Sequence, residues 1–288
     1  MIAVVTGARG LLGSEFMIAF GTRQAALGWS SGTHEGYRQV DVRSADQIAR
    51  ALDDDQPDVV IHCAADPNIV SCEEDPVAAR ELNALAVEKL AFATSARNIR
   101  LVQMSTDYVF AGDSADGYTE TDEVNPLQVY GRTKAEAERY CLEAGNSLVV
   151  RVPLLFGISH VIPKATFPED VAKSLSAGKE VHADEVETRQ PTFTPDVTEV
   201  VYRLVEGGIT GVVHVAPSET TTKYGWADQI AEVLELNPAY VRPTSPKPGS
   251  NRPLRSVLRT QRLSELGFQP PRGYKESTPA FLRAVGLI

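Results

Sequence analysis

Ile2-Ala3-Val4-Val5, followed by Gly7, Gly10 and Gly13, constrains the fold more than any other stretch of the chain. The continuous apolar run reads as a strand buried on both faces, the kind found in parallel sheets. The glycines come directly after it, and Leu12, Phe16, Ala19 and Phe20 then recur at helical spacing. A strand, a glycine loop and a helix in that order make a nucleotide-binding start. Gly7 is expected in the tight turn, Gly10 where the backbone approaches a pyrophosphate, and Gly13 where the helix packs close to the sheet. The helix N-terminus would add amide donors and a positive dipole end for phosphate.

The alternation of strand and helix then repeats. Strands are expected at Ala25–Trp29, Gln39–Val42, Pro57 onward, Asn98–Thr106 and Ser147–Val152, with helical patterns between them. Ser44 is placed to cap a helix running to about Asp54. One long helix is expected to carry Leu82, Ala86, Leu90 and Ala93 on a single face, and another to run from Tyr130 to about Glu143. The fold class is therefore α/β, a Rossmann-type doubly wound parallel sheet. The pattern loosens between Pro153 and Pro195, returns as a strand at Gly211–Ala216, and continues in an amphipathic helix marked by Trp226, Ile230, Val233 and Leu234. Arg242–Pro253 is proline-rich and is read as a loop. The division expected is a nucleotide-binding domain over residues 1–152 and a small C-terminal substrate-binding lobe over 153–288, with residues from about 190 to 216 returning to the sheet.

The 288 residues carry 28 basic and 38 acidic side chains, a net charge of −10, so the basic field that nucleic acid or an anionic membrane would need is missing. Cys63, Cys72 and Cys141 form neither a disulfide framework nor a metal spacing, and their low, odd number fits a reducing cytoplasm. No apolar run reaches the roughly 20 residues of a membrane span, and no basic leader precedes the first strand. A soluble cytoplasmic protein without a metal is the expectation.

Two further segments bear chemistry: Gln103–Phe110, reading QMSTDYVF, and Asn125–Tyr140, reading NPLQVYGRTKAEAERY. Thr106 is expected to leave its strand at the C-terminal end, where α/β sheets place their ligands. Tyr130 and Lys134 share a helical face. A phenol, an ammonium and a threonine beside a nucleotide site suggest hydride transfer. In that reading Tyr130 gives a proton to a carbonyl, Lys134 lowers the phenol's pKa and holds a ribose, and Thr106, with Ser105, meets the carbonyl oxygen. Asp107 would order the loop or touch substrate, whereas Tyr108, Phe110 and His62 are read as core. Where an NAD site places an acid, the chain has Trp29-Ser30-Ser31, with Glu35 later. Arg9 could meet a 2′-phosphate or simply face solvent, so NADP is favoured and NAD stays open. Asp41, with Val42, either accepts from an adenine or caps a helix, and Ala64 and Ala65 allow either close passage of a cofactor or tight packing.

TGARGLLG, DVRSADQI, PDVVIHCAAD, STDYVF, NPLQVYGRTKAEAE, RQPTFTPDV and GVVHVA together resemble the dTDP-4-dehydrorhamnose reductase family of extended short-chain dehydrogenase/reductases, in the family's order and over nearly the whole chain. The resemblance implies Thr106, Tyr130 and Lys134 as the catalytic set. Expected at the cofactor are Gly7, Arg9, Gly10, Leu11, Leu12, Gly13, Ser30, Asp41, Val42, Cys63, Ala64, Ala65, Asn83, Tyr130, Lys134 and Val152. Expected at the substrate are Asn68, Ser105, Asp107, Pro153, Gln190 and Arg252, from the loops at Asp66–Ser71, Pro153–Phe156, Gln190–Thr192 and Arg252–Arg255. The substrate implied is a nucleotide-linked 4-keto-6-deoxysugar, reduced with NADPH, in a protein that could form a homodimer. The chain departs from the family at Leu11, usually Gln, at RVPLLFG, where a tryptophan run is typical, and at DPNIVSCEED.

RVPLLFG, TTKYGWADQIAEVL and VRPTSPKPGSNRPLRSVL are similar instead to the regulatory beta subunits of methionine adenosyltransferase. That similarity implies an NADP-binding partner of a catalytic subunit, with Phe281 and Leu287-Ile288 either inserting into the partner or capping their own lobe. A sugar-nucleotide epimerase or dehydratase is the third reading, and it requires an acid/base pair beyond the three catalytic residues.

Overall fold

A computed structural model describes residues 1–245 and 251–288. β1 (Ile2–Thr6) enters the core at once and passes through the glycine loop into α1 (Leu11–Gly21). β2 (Ala25–Ser30), β3 (Arg38–Gln39), α2 (Ala45–Asp55) and β4 (Val59–His62) come next. Ser44 caps α2 as its position in the sequence predicts, accepting from the Gln47 amide. The third strand is shorter than Gln39–Val42: after Val40 N–H reaches Ser30 O at 2.8 Å the chain turns, because Val42 folds into the core.

After a short α3 (Ile69–Glu74), the expected long helix runs without a break as α4 (Pro76–Arg80), a π-helical turn (Glu81–Leu85) and α5 (Ala86–Ser95), with Leu82, Ala86, Leu90 and Ala93 in one cluster. The π turn coincides with Asn83, whose buried amide binds the Asp66 backbone at both ends, N–H to Oδ1 at 2.8 Å and Nδ2–H to carbonyl at 3.0 Å. That side chain pins the loop after β4 to the helix at the point where the helix widens.

β5 (Arg100–Thr106), α6 (Val129–Glu143) and β6 (Ser147–Val152) lead into β7 (Leu155–Phe156), α7 (Phe167–Ser176), β8 (Val181–Asp184), β9 (Thr192–Phe193) and α8 (Thr194–Glu206). The sequence reading does not anticipate α8, although Pro195 stands in its first turn, where a missing N–H is harmless. β10 (Gly211–His214), α9 (Lys223–Val233), β11 (Val241–Thr244), α10 (Gln261–Glu265) and α11 (Tyr274–Ala284) complete the chain. β11 corrects the loop expected at Arg242–Pro253, because Arg242, Pro243 and Thr244 pair in parallel with β8. Pro243 is tolerated in so short a strand, in a sheet of two. The remainder of that proline-rich stretch, 246–250, lies outside the described residues.

Among the described residues the main sheet has the order β10-β6-β5-β4-β1-β2-β3, every pairing parallel. The order reverses between β1 and β4, so a crevice opens past the C-terminal ends of those strands, where such sheets bind ligands. α1 and α8 cover one face through Phe16, Phe20, Val197 and Val201, and α2, α5 and α6 cover the other through Ile48, Leu52, Leu90 and Ala137. β10 lies at the sheet's edge beside β6, so the chain returns to the sheet after leaving it.

A separate core holds the C-terminal part, built from Phe156, Phe193, Trp226, Ile230 and Phe281. Phe156 is buried against Phe193, Trp226 and Phe281, so it faces that core and not the crevice. Phe281 is fully buried and Leu287 packs on the same cluster, so these two cap their own lobe, while Ile288 is 48% exposed. No helix among the described residues is long and apolar enough to cross a membrane.

Candidate active site

Gly7 adopts φ +62, and a Cβ there would stand 2.7 Å from Ala64 N, so the turn can be made only by glycine. A Cβ on Gly13 would lie 2.2 Å from the Gly7 carbonyl oxygen, which fixes how closely α1 approaches β1. Gly10 is the N-cap of α1, and no side chain caps that end. The first turn also contains no acid. Its amides at Leu11, Leu12 and Gly13 therefore point into the crevice with their donors available for an anion.

At the rim, Arg9 contacts His34 through Nη1 and Nε2, which draws the guanidinium toward the loop after β2. Glu35 is exposed. Asp41 neither caps α2 nor stands free: Arg43 binds both carboxylate oxygens, at 2.9 and 2.8 Å, and holds the acid below the ordinary aspartate range.

Thr106 is the last residue of β5 and pairs with Val152 at the end of β6. Its hydroxyl donates to Asp107 Oδ1 at 3.1 Å and accepts from Tyr108 N–H at 3.2 Å. Tyr130 sits in the first turn of α6, half-buried, with the Thr106 hydroxyl against its phenol. Lys134, one turn on, is almost fully buried and acts electrostatically on His62 and Cys63 at the end of β4. Thr106, Tyr130 and Lys134 thus meet at the C-terminal edge of the sheet, beside the glycine loop's crevice.

The electrostatics differ from the expectation that Lys134 lowers the Tyr130 pKa. Burial first, then the Asp107 carboxylate, hold the phenol above its ordinary value, and only the Thr106 hydrogen bond pulls it down appreciably. Burial lowers Lys134 to about 8, and the Glu138 carboxylate opposes that fall. His62 is a core histidine, bonded through Nδ1 to Thr6 Oγ1 at 2.7 Å and lowered to about 3 by burial, then by Lys134.

Several expected substrate residues are occupied elsewhere. Successive strand residues face opposite ways, so Ser105 turns from the crevice and donates to Glu138 Oε1 at 2.5 Å. Gln190 donates to the carbonyls of Pro217 and Leu258, at 2.7 and 3.1 Å, and accepts from Leu258 N–H, so its buried amide clamps backbone. Asn68 caps α3 with its carbonyl oxygen. Asn83 is bound by Asp66 and Thr133 and acts on the loop beside the crevice, not as an open ligand. Pro153 is buried.

Arg252, expected at the substrate, borders the site, and Arg189 and Lys223 join it without having been singled out. Tyr108, read as core from the sequence, is half-exposed and meets Tyr130 edge-on with ring centroids 6.4 Å apart, whereas Phe110 is core as expected. Arg189 lies 5.7 Å over the Tyr108 ring. Arg252 acts on both Tyr108 and Lys223, and burial followed by Arg252 lowers the Lys223 pKa. Lys223 and Arg252 therefore border the tyrosines, beside an Arg189 whose charge is met by the buried Glu187. Glu138, missed in the sequence, carried a signal as the next i,i+4 residue after Tyr130 and Lys134.

A parallel sheet reversing at a glycine loop, with phenol, ammonium and threonine gathered past its edge, is shared by extended short-chain dehydrogenase/reductases, and the chain is an oxidoreductase of that class. Residues 1–286 match the family model described as RmlD substrate binding domain, and the chain belongs to that family. It is 31% identical to a probable low-salt glycan biosynthesis reductase of Haloferax volcanii, covering 94% of each chain. It is 33% identical to methionine adenosyltransferase 2 subunit beta of Rattus norvegicus, covering 97% of this chain and 87% of that one. Among solved structures, a dTDP-4-dehydrorhamnose reductase of Clostridium acetobutylicum superposes with a TM-score of 0.89 at 27% identity, covering 99% of this chain and 100% of the other.

Proposed function

We propose that the protein reduces the keto group of a nucleotide-linked 4-keto-6-deoxysugar, using NADPH as hydride donor. The observation that carries this reading is the meeting of Thr106, Tyr130 and Lys134 beside a crevice that the glycine loop shapes. The cradle fits a dinucleotide: Gly7 and Gly13 allow a tight turn and a close approach of α1 that any Cβ would block, and the uncapped end of α1 offers amide donors to a pyrophosphate. Arg9, drawn toward the loop after β2 by His34, with Trp29-Ser30-Ser31 in place of an acid at the end of that strand, favours the 2′-phosphorylated form. Bound there, the nicotinamide supplies a hydride.

Tyr130 supplies the proton. Its O–H bond breaks as an O–H bond forms on the substrate oxygen, and a phenol held above its ordinary pKa is in the protonated state that this role requires. Lys134 places a cation near the developing phenolate. Lys223 and Arg252 suit the diphosphate of a sugar nucleotide, whereas the buried Arg189 is already paired with Glu187. The relatives support the substrate class: one is called a probable glycan biosynthesis reductase, and another, 30% identical from Streptomyces antibioticus, a probable dTDP-4,6-dihydroxy-2-methyloxan-3-one 4-ketoreductase.

The test is NADPH oxidation with a panel of dTDP-, UDP- and GDP-4-keto-6-deoxysugars, in wild type and Tyr130→Phe. Turnover with one sugar, abolished in the variant while NADPH still binds, is expected; full activity in Tyr130→Phe removes the assignment. A second reading, a cofactor-binding regulatory subunit, draws on the 33% identity to the methionine adenosyltransferase subunits. Stable co-purification with a synthetase, without turnover of any keto-sugar, would favour it.

A further inference from the structure

His160 and Glu15 stand 145 residues apart in the chain, yet His160 Nε2 lies 3.0 Å from Glu15 Oε2. A carboxylate accepts, so the imidazole Nε2 carries the proton of this bond. Glu15 is on α1, 8% exposed, one turn beyond Leu11, where the helix begins. Helix side chains lean toward the N-terminus, so this carboxylate covers the turn whose amides face the crevice. His160 belongs to the segment between β7 and α7. That segment sets out from the catalytic edge, because Val152 ends β6 beside Thr106. Leu155 then packs with Leu12 on the core under α1 and α8, while Leu154, Phe156 and Ile158 pack on the lobe's core. Gly157 seats against the start of α8, where a Cβ would lie 2.0 Å from Thr194 Oγ1. Its carbonyl accepts from Thr166 Oγ1, which closes residues 157–166 into a loop. At the far end Phe167 opens α7 with its ring against Trp226 and 5.5 Å from Lys223 Nζ, so that end is fixed in the lobe. Within 158–165 the other side-chain hydrogen bond is local, from Ser159 to the Ile162 carbonyl. Among the described residues, His160–Glu15 is therefore the one hydrogen bond that ties the tip of this loop to another element.

We infer that residues 157–166 form a strap along the cofactor's crevice, and that His160–Glu15 is the latch which sets how fast the cofactor leaves. A dinucleotide with its pyrophosphate at the start of α1 must bring its nicotinamide to Thr106 and Tyr130, so it spans the sheet edge from β1 past β4 to β5. At about 4.8 Å per strand, that span is about 10 Å. The strap covers the same ground from the other side, from the end of β6 back to the first turns of α1. It belongs to the lobe through Leu154, Ile158 and Phe167, and it reaches the nucleotide-binding body at Glu15. Opening the crevice on this side therefore requires the latch to break. Once it is broken, the tip keeps only its local bonds, and Ile162, Pro163 and Lys164 there are already exposed. The loop is then free to move while both of its ends stay seated.

The latch rests on cofactor binding and not on sugar chemistry, so its test does not require turnover. Protein loaded with NADPH is mixed with excess NADP in a stopped-flow instrument, and the loss of bound-NADPH fluorescence gives the release rate. His160→Ala lies on the exposed loop, and Glu15→Ala removes the partner. Each should release NADPH about fivefold faster, the factor that one hydrogen bond of about 1 kcal/mol supplies. The double variant should be no faster than either alone, because the two side chains act through each other. Glu15→Gln keeps an acceptor for the imidazole N–H and should stay near the wild-type rate. Arg23→Ala breaks a tie beyond the other end of α1, the 2.6 Å bond to Glu199, and should leave release unchanged even if the melting temperature falls. Wild-type release from His160→Ala overturns the inference, as do effects that add in the double variant or that Arg23→Ala reproduces. Should the wild type bind NADPH but turn over no keto-sugar, that would count against the reductase while leaving the release rates to decide the latch.

Discussion

Replacing Glu138 by Gln should destabilise the protein severely and weaken the charge on Lys134. Glu138 and Arg151 form a two-point ion pair, Nε to Oε1 at 2.9 Å and Nη2 to Oε2 at 2.7 Å, each side chain 5% exposed. Ser105 adds a third bond to the carboxylate. The other neighbour of Arg151 is His214, whose Nε2 lies 3.3 Å from Nη1. His214 cannot substitute as a counter-ion, because burial, reinforced by Arg151, keeps it neutral with a pKa near 3. The Gln variant therefore leaves a buried guanidinium among neutral groups. Breaking such a pair costs about 3–5 kcal/mol. At the ~2 °C per kcal/mol suited to a chain of this size, the melting temperature should fall by roughly 6–10 °C. Differential scanning calorimetry at pH 7 measures it. The double variant Glu138→Leu/Arg151→Met, which removes both charges, should recover most of the loss. Because Glu138 also supports the Lys134 ammonium, the basic limb of activity in Glu138→Gln should shift to lower pH. A Gln variant melting within about 2 °C of wild type would show that the pair does not hold the sheet and α6 together as argued.

Gly13→Ala places a methyl 2.2 Å from the Gly7 carbonyl oxygen, so α1 must move; a stability loss of about 1–3 kcal/mol and much weaker NADPH binding are expected, and unchanged fluorescence titration would contradict this. His62 and His214 are both lowered to about 3 by burial, so between pH 6.5 and 3 the unfolded chain binds protons that the folded one refuses. Stability should therefore fall as pH drops through that window, by up to roughly 1.4 kcal/mol per pH unit for each histidine, and equal urea midpoints at pH 7 and 4.5 would refute it. Lys223→Ala and Arg252→Ala should each raise KM for the sugar nucleotide about tenfold or more with kcat little changed, as expected for uniform binding of a diphosphate; an unaltered KM would remove the basic group from the substrate site.

By itself the sequence determined the cofactor half of this protein. A buried apolar strand, glycines at fixed spacing and an amphipathic helix are local signals, and each glycine's role follows from what a Cβ would meet. The repeating strands and helices dictated a parallel sheet, and the Tyr130–Lys134 spacing placed both side chains on one helix face. Tertiary structure decided the rest, because it depends on partners far apart in the chain. Ser105 and Thr106 are neighbours, yet only the pairing of β5 and the packing of α6 send one to Glu138 and the other to Asp107. Gln190 and Asn83 carry amides fit for a ligand, but backbone from distant segments takes up their hydrogen bonds. Tyr108 belongs to the site and Phe156 to the lobe's core, a distinction that no periodicity encodes. Ser256 meets Asp107 from 149 residues away, a contact that exists only once both cores have formed.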